Sequence, residues 1–252
     1  MMKLNRLLAL FAAVLFAVTV TGAARAGELT VVFAIAKPPF VYATQTGPAG
    51  PDDKGGIEPQ IMKAALALRG RSFDALYSTY DQLTGLVLDG RADAAATVRP
   101  ENPALFYSNE FVSFHNVAVL RAGAPAPATI ADLAGLSMVA WEGATMDLGP
   151  GFATAAAASP KYAEMGDQKA QVQAFMDGRF DAVIIDSTIF RYWKKVLGGK
   201  AADFQFHSLF GGHTPFVVGF ADETVRNDFN AGLKEIRQSG VYDVLFNHHI
   251  AD

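Results

Sequence analysis

Two stretches carry the reading of this chain: Leu88–Thr97, LDGRADAAAT, and Met176–Asp186, MDGRFDAVIID. Each runs Asp-Gly-Arg, one variable residue, Asp-Ala, and then small or apolar residues. A glycine after an amphipathic segment is a helix stop, because it takes the left-handed cap position without steric cost. The small or apolar residues that follow have the length and composition of a buried strand. Each stretch therefore marks one joint, where a helix ends and the chain turns into a strand inside a sheet. Two such joints in one chain imply two α/β units of related topology, although the joint itself is common in α/β proteins.

The same alternation extends outward. LTVVFAI (29–35) is a β-branched run of strand length, and IEPQIMKAALALRG places Ile57, Ile61, Ala64, Ala65 and Leu68 on one helical face before Gly70. SFDALYS reads as a strand and YDQLTGLVLDG as a second helix. In the second half LSMVAWEG, KYAEM and FDAVIID read as strands. TMDLGPGFATAAAAS reads as a helix broken at Gly149-Pro150-Gly151, followed by helices in DQKAQVQAFMDG and STIFRYWKKVLGG. Strands separated by helices of this length predict an α/β fold with mostly parallel sheets flanked by helices. RAGAPAPATIADLAG is the natural boundary between the halves.

The first 26 residues are read separately. A basic start (Lys3, Arg6), an apolar run from Leu7 to Val20 and Ala24-Arg25-Ala26 form a secretory signal peptide, cleaved after Ala26. The apolar run is shorter than the ~20 residues a membrane span needs. Removing it leaves 226 of 252 residues and moves the formal net charge from −4 to about −7. No basic block remains to track a phosphate backbone, which argues against nucleic acid. The chain has no cysteine, which excludes thiolate catalysis, cysteine metal sites and a lipid-modified N-terminal cysteine. An exported, untethered, periplasmic protein is expected, with no cofactor.

In open parallel sheets, ligands sit beyond the carboxyl ends of the strands. The first joint delivers Thr97 and Arg99 to that edge, and the second delivers Asp186. A guest bearing both charges satisfies both ends, with Arg99 gripping a carboxylate and Asp186 accepting from an ammonium. Asp186, followed by Ser187-Thr188 and a helix, is equally suited to be an N-cap, and one carboxylate can do both. Arg99 is equally a surface arginine before Pro100. KPPFVY, after the first strand, offers Phe40 and Tyr42 as stacking or core aromatics. AWEGAT contributes Trp141, Glu142 and, at a helix start, Thr145 as a carboxylate donor. His248-His249 reads as a solvated pair rather than a metal site.

These stretches, with GGIEPQIMKAALALRG, FYSNEF and the tail FVVGFADETVRNDFNAGLKEIRQSGVYDVLF, resemble the bacterial extracellular solute-binding proteins of family 3, the polar amino-acid receptors of ABC importers. The resemblance covers nearly all of the chain after residue 26. It implies a type II periplasmic-binding fold: lobe 1 from 27–118 plus 215–252, lobe 2 from 119–214, and a hinge of two crossing strands near NVAVLRA and TPFVVGF. It implies a monomer that binds an amino-acid-like solute and hands it to an ABC permease. Asp186 matches the family's ammonium-binding aspartate, Thr145 its helix-start carboxylate donor, and Phe40 or Tyr42 its stacking aromatic. The loop from Asp93 to Arg99 is shorter than the family's, so Arg99 is carried over less directly as the carboxylate clamp. An enzyme on the same scaffold, a lyase or dehydratase with Glu142 or Asp186 as acid or base, is the minority expectation. An accessory or sensory ligand-binding module is the third.

Overall fold

The structure, a computed structural model, describes residues 28–43 and 55–250. The residues read as a signal peptide and most of the turn-rich segment before the first helix lie outside the described residues. The remainder folds around two sheets, each with a core of three parallel strands.

In the first sheet, β1 (Leu29–Ala34) pairs in parallel with β2 (Phe73–Ser78) and β3 (Ala94–Val98). Helices α1 (Ile57–Ala67) and α2 (Leu83–Leu88) connect these strands. In the second, β7 (Met138–Trp141) lies between β8 (Tyr162–Met165) and β9 (Ala182–Asp186), also in parallel. The connections here are α3 (Ala144–Asp147) with α4 (Gly149–Ala158), and α5 (Gln168–Met176). The break between α3 and α4 falls where the glycines and proline predict it, with Gly149 at φ +79°.

Antiparallel strands complete both sheets, which the parallel expectation did not specify. β4 (Phe106–Tyr107) and β5 (Val112–Phe114) pair with β11 (Thr214–Phe220), which also lies against β3. β6 (Asn116–Arg121) and β10 (Phe204–His207) extend the second sheet beside β9. The direct passages, β5 to β6 and β10 to β11, join strands of different sheets rather than neighbours in one. The chain thus leaves the first sheet between Phe114 and Asn116 and returns between His207 and Thr214. These are the two crossings expected of a hinge. After β9 comes α6 (Ser187–Val196), and α7 (Glu223–Gln238) and α8 (Val241–Asn247) follow β11. α7 lies against α1 so closely that a Cβ on Gly232 would stand 2.0 Å from the Ala65 carbonyl oxygen.

The two joints are the same device in detail. Gly90 and Gly178 adopt φ +69° and +81°. Their N–H groups bond back to Val87 and Phe175, and those of Arg91 and Arg179 to Leu86 and Ala174, the paired bonds of a Schellman cap. The second aspartate of each phrase ties the new strand to the start of a neighbouring parallel strand, β1 in one sheet and β7 in the other. Asp93 Oδ2 accepts the Thr30 N–H at 2.7 Å, and Asp181 Oδ2 accepts the Ser137 N–H at 2.9 Å. The alanine that follows starts a wholly buried strand in both cases.

Candidate functional site

The carboxyl ends of the two parallel cores open onto one cleft of about 280 Å³ between the sheets, at the small end of ligand sites. Arg99 lines it from the first sheet, Asp186 and Trp141 from the second, and Lys37 and Phe114 join them.

Asp186 ends β9 only 4% exposed. Its Oδ1 accepts the Thr188 and Ile189 N–H groups at 2.8 and 3.0 Å, the N-cap of α6. Oδ2 accepts the N–H of His115, the residue between β5 and β6, at 2.7 Å. Three of roughly four acceptor positions are therefore occupied by backbone donors. Burial nevertheless dominates and pushes its carboxyl above the usual range, against these hydrogen bonds and the Lys37 charge. The structure shows the cap; the residue also borders the cleft.

A bulge brings Arg99 there. Opposite β11 the register moves from Val217↔Val98 to Gly219↔Ala95, so β3 carries one extra residue. That residue is accommodated at buried Thr97, whose φ is +59°. Such a bulge re-aims the chain that follows it. Thr97 lies beneath the surface and does not line the cleft.

The floor is aromatic. Phe40 is fully buried, and its ring centroid lies 4.6 Å from that of Phe114, which is 5.1 Å from that of Phe216. The Lys37 ammonium sits 3.7 Å above the Phe114 ring, and the Arg99 guanidinium lies 5.8 Å from the Phe216 ring. Phe40 thus supports the floor from behind. Tyr42 is turned away, its hydroxyl 2.8 Å from His249 Nδ1 and its ring against Tyr192. His249 also meets Gln60 at 2.9 Å, so this histidine is a structural tie rather than half of a solvated pair.

Behind the floor, Glu58 on α1 is 1% exposed, and its Oε2 has no hydrogen-bond partner. Burial raises its carboxyl to about 7 despite the Lys37 charge. Burial likewise lowers Lys37, against the charges of Glu58, Asp186 and Asp147.

Trp141 donates from Nε1 to Asp147 at 3.2 Å, and both line the cleft. Glu142 is exposed and lies outside the lining. Thr145 is engaged elsewhere: its N–H and hydroxyl both reach Glu164 Oε1 at 3.0 Å, while the Gly143 N–H reaches Oε2 at 2.8 Å. Tyr162 donates a fourth hydrogen bond at 2.8 Å. Burial alone would raise Glu164, but the bonds from Thr145, Gly143 and Tyr162 outweigh it and hold the carboxyl below its usual range. The helix-start donors are thus filled by a carboxylate of the chain itself.

Among the cleft-lining residues that sequence reading missed are Lys37, Phe114, Asp147 and Phe216. Lys37 opens the quoted KPPFVY and follows a strand end closely, a usable signal. The others are placed by tertiary structure.

No family model matches the chain, and no curated protein matches its sequence. Solved structures do. A mutant of ArgBP from T. maritima is 21% identical with a TM-score of 0.62, over 90% of this chain and 96% of that one. An ancestral cationic amino acid solute binding protein is 20% identical with a TM-score of 0.70, over 89% and 96%. The substrate binding protein of an amino acid ABC transporter is 18% identical with a TM-score of 0.60, over 90% and 100%. The chain has the two-lobed α/β fold of type II periplasmic binding proteins. At these identities the likeness establishes the fold.

Proposed function

We propose that this chain is an exported solute-binding protein. It captures a small polar, amino-acid-like solute between its lobes in the periplasm and delivers it to an ABC importer permease. One observation carries the reading: a single cleft between two sheets takes a cation, Arg99, from one and a carboxylate, Asp186, from the other. A solute touching both walls binds the closed form better than the open one, and that difference is what closes a hinge. We take 27–118 with 215–252 as one lobe and 119–214 as the other.

The test is a thermal-shift screen of the purified protein against amino acids, amines and small carboxylates. A bound solute raises the melting temperature as the logarithm of its concentration over its Kd. Failure of every solute to do so refutes the reading. With the solute in hand, calorimetry on Asp186→Ala is expected to show affinity weaker by roughly 2–5 kcal/mol, as for loss of one partner of a buried charge pair. Mass spectrometry of the same mixtures separates binding from turnover.

A further inference from the structure

Two positive side chains share the aromatic floor of the cleft, and neither is in direct contact with a negative one. Among the described residues, neither Lys37 nor Arg99 has an ion pair within 4.0 Å or a side-chain hydrogen bond. Each is instead held over a phenylalanine ring, and the two rings touch. Lys37 is half-buried, and a cation withdrawn from water without a close counter-charge is costly; Arg99 stands exposed on the same wall, so the two together suit an anionic guest.

The nearby acids do not meet that need. Asp186 already accepts from three backbone donors, which leaves one of roughly four acceptor positions, and Asp147 accepts from Trp141. Glu58 is buried behind the floor, and its Oε2 has no hydrogen-bond partner. Across the cleft, the donors at Gly143 and Thr145 are filled by Glu164 and offer nothing to a ligand's anion. The charged residues lining the second lobe are the acids Asp147 and Asp186. The cleft is therefore polarised, with two unpaired cations on one wall and acids on the other.

We propose that the solute is a small dicarboxylate, with Lys37 binding its second carboxylate beside Arg99 and any amino group facing Asp147 and Asp186. This rests on the solute-binding reading and deepens it. Lys37 is then the residue that selects a dianion over a mono-anion. A lysine ammonium suits the task because it is a compact point charge with three rotatable donors, while Arg99 supplies the planar fork.

The experiment is titration calorimetry with L-glutamate, L-aspartate and succinate, against L-glutamine, L-asparagine and L-arginine. One dicarboxylate is expected to bind at least ten-fold more tightly than all three comparators. Succinate against L-aspartate shows whether the amino group contributes. Lys37→Met is expected to remove the preference, and Lys37→Arg to retain it, with thermal melts confirming that both variants fold. Equal or tighter binding of an uncharged or cationic comparator overturns the proposal, as does a preference that survives in Lys37→Met. If other solutes bind and none of these dicarboxylates does, the proposal fails and the solute-binding reading stands. If no solute of any kind binds, that reading fails first.

Discussion

Replacing Glu58 with glutamine keeps the shape of a buried side chain and removes its ionisation. The carboxyl is 1% exposed and titrates near 7 in the folded protein, against 4.5 for an unperturbed glutamate. A raised folded value means that the native state holds the proton more tightly than the unfolded chain. Stability is therefore greatest below the unfolded value and declines as pH rises from 4.5 to 7, where the native protein must surrender the proton at a cost. At about 1.4 kcal/mol per unit, the loss amounts to about 3 kcal/mol by pH 8. The amide has no such dependence. Urea denaturation at pH 4.5 and pH 8 is expected to show the Glu58→Gln variant gaining about 3 kcal/mol on the unaltered protein between the two conditions. Lys37 feels the Glu58 charge, so its own lowered value shifts with the substitution and the gap reads the two groups together. A gap between the proteins that stays constant with pH would refute the claim that Glu58 is held in a low-dielectric setting.

Two further substitutions examine the scaffold. Gly232→Ala drives a methyl group into the Ala65 backbone oxygen; overpacking of about 3 kcal/mol outweighs about 1 kcal/mol of gained helix propensity. The expected fall in melting temperature is roughly 6 °C. Glu164→Ala frees the N–H groups of Gly143 and Thr145 and is expected to cost roughly 1–3 kcal/mol at pH 7, discounted for partial exposure. Because the Glu164 carboxyl is held low, its contribution is present above the ordinary carboxylate range and is lost as pH falls through its folded value, which denaturation at pH 7 and pH 3 reads directly.

Much of the architecture could be read from local signals because local physics sets it. Gly90 and Gly178 must take left-handed caps, and the glycines and proline at 149–151 must break a helix, whatever the tertiary context. Asp186 and Arg99 could be placed at strand ends because each follows a buried run. What escaped depended on distance along the chain. Phe114 and Phe216 meet only because the two crossing strands pair, Ser113 against Pro215. Glu164 reaches Gly143 and Thr145 because β8 runs in register with β7, Ala140 against Glu164. The bulge at Thr97 is a product of pairing with β11, which lies more than a hundred residues later. Phe40 and Tyr42 had two readings in the sequence, and packing decided where each ring lies.

The order in which strands enter the sheets also affects synthesis. Every strand of the second sheet lies between residues 116 and 207, one uninterrupted span. The first sheet lacks β11 until residue 220, and α7, its cover over α1, ends at residue 238. As the polypeptide emerges from amino to carboxyl end, the second sheet has all its strands while the first is still missing a central one. The half that begins first is the one finished last, and it waits with an open seam beside β3.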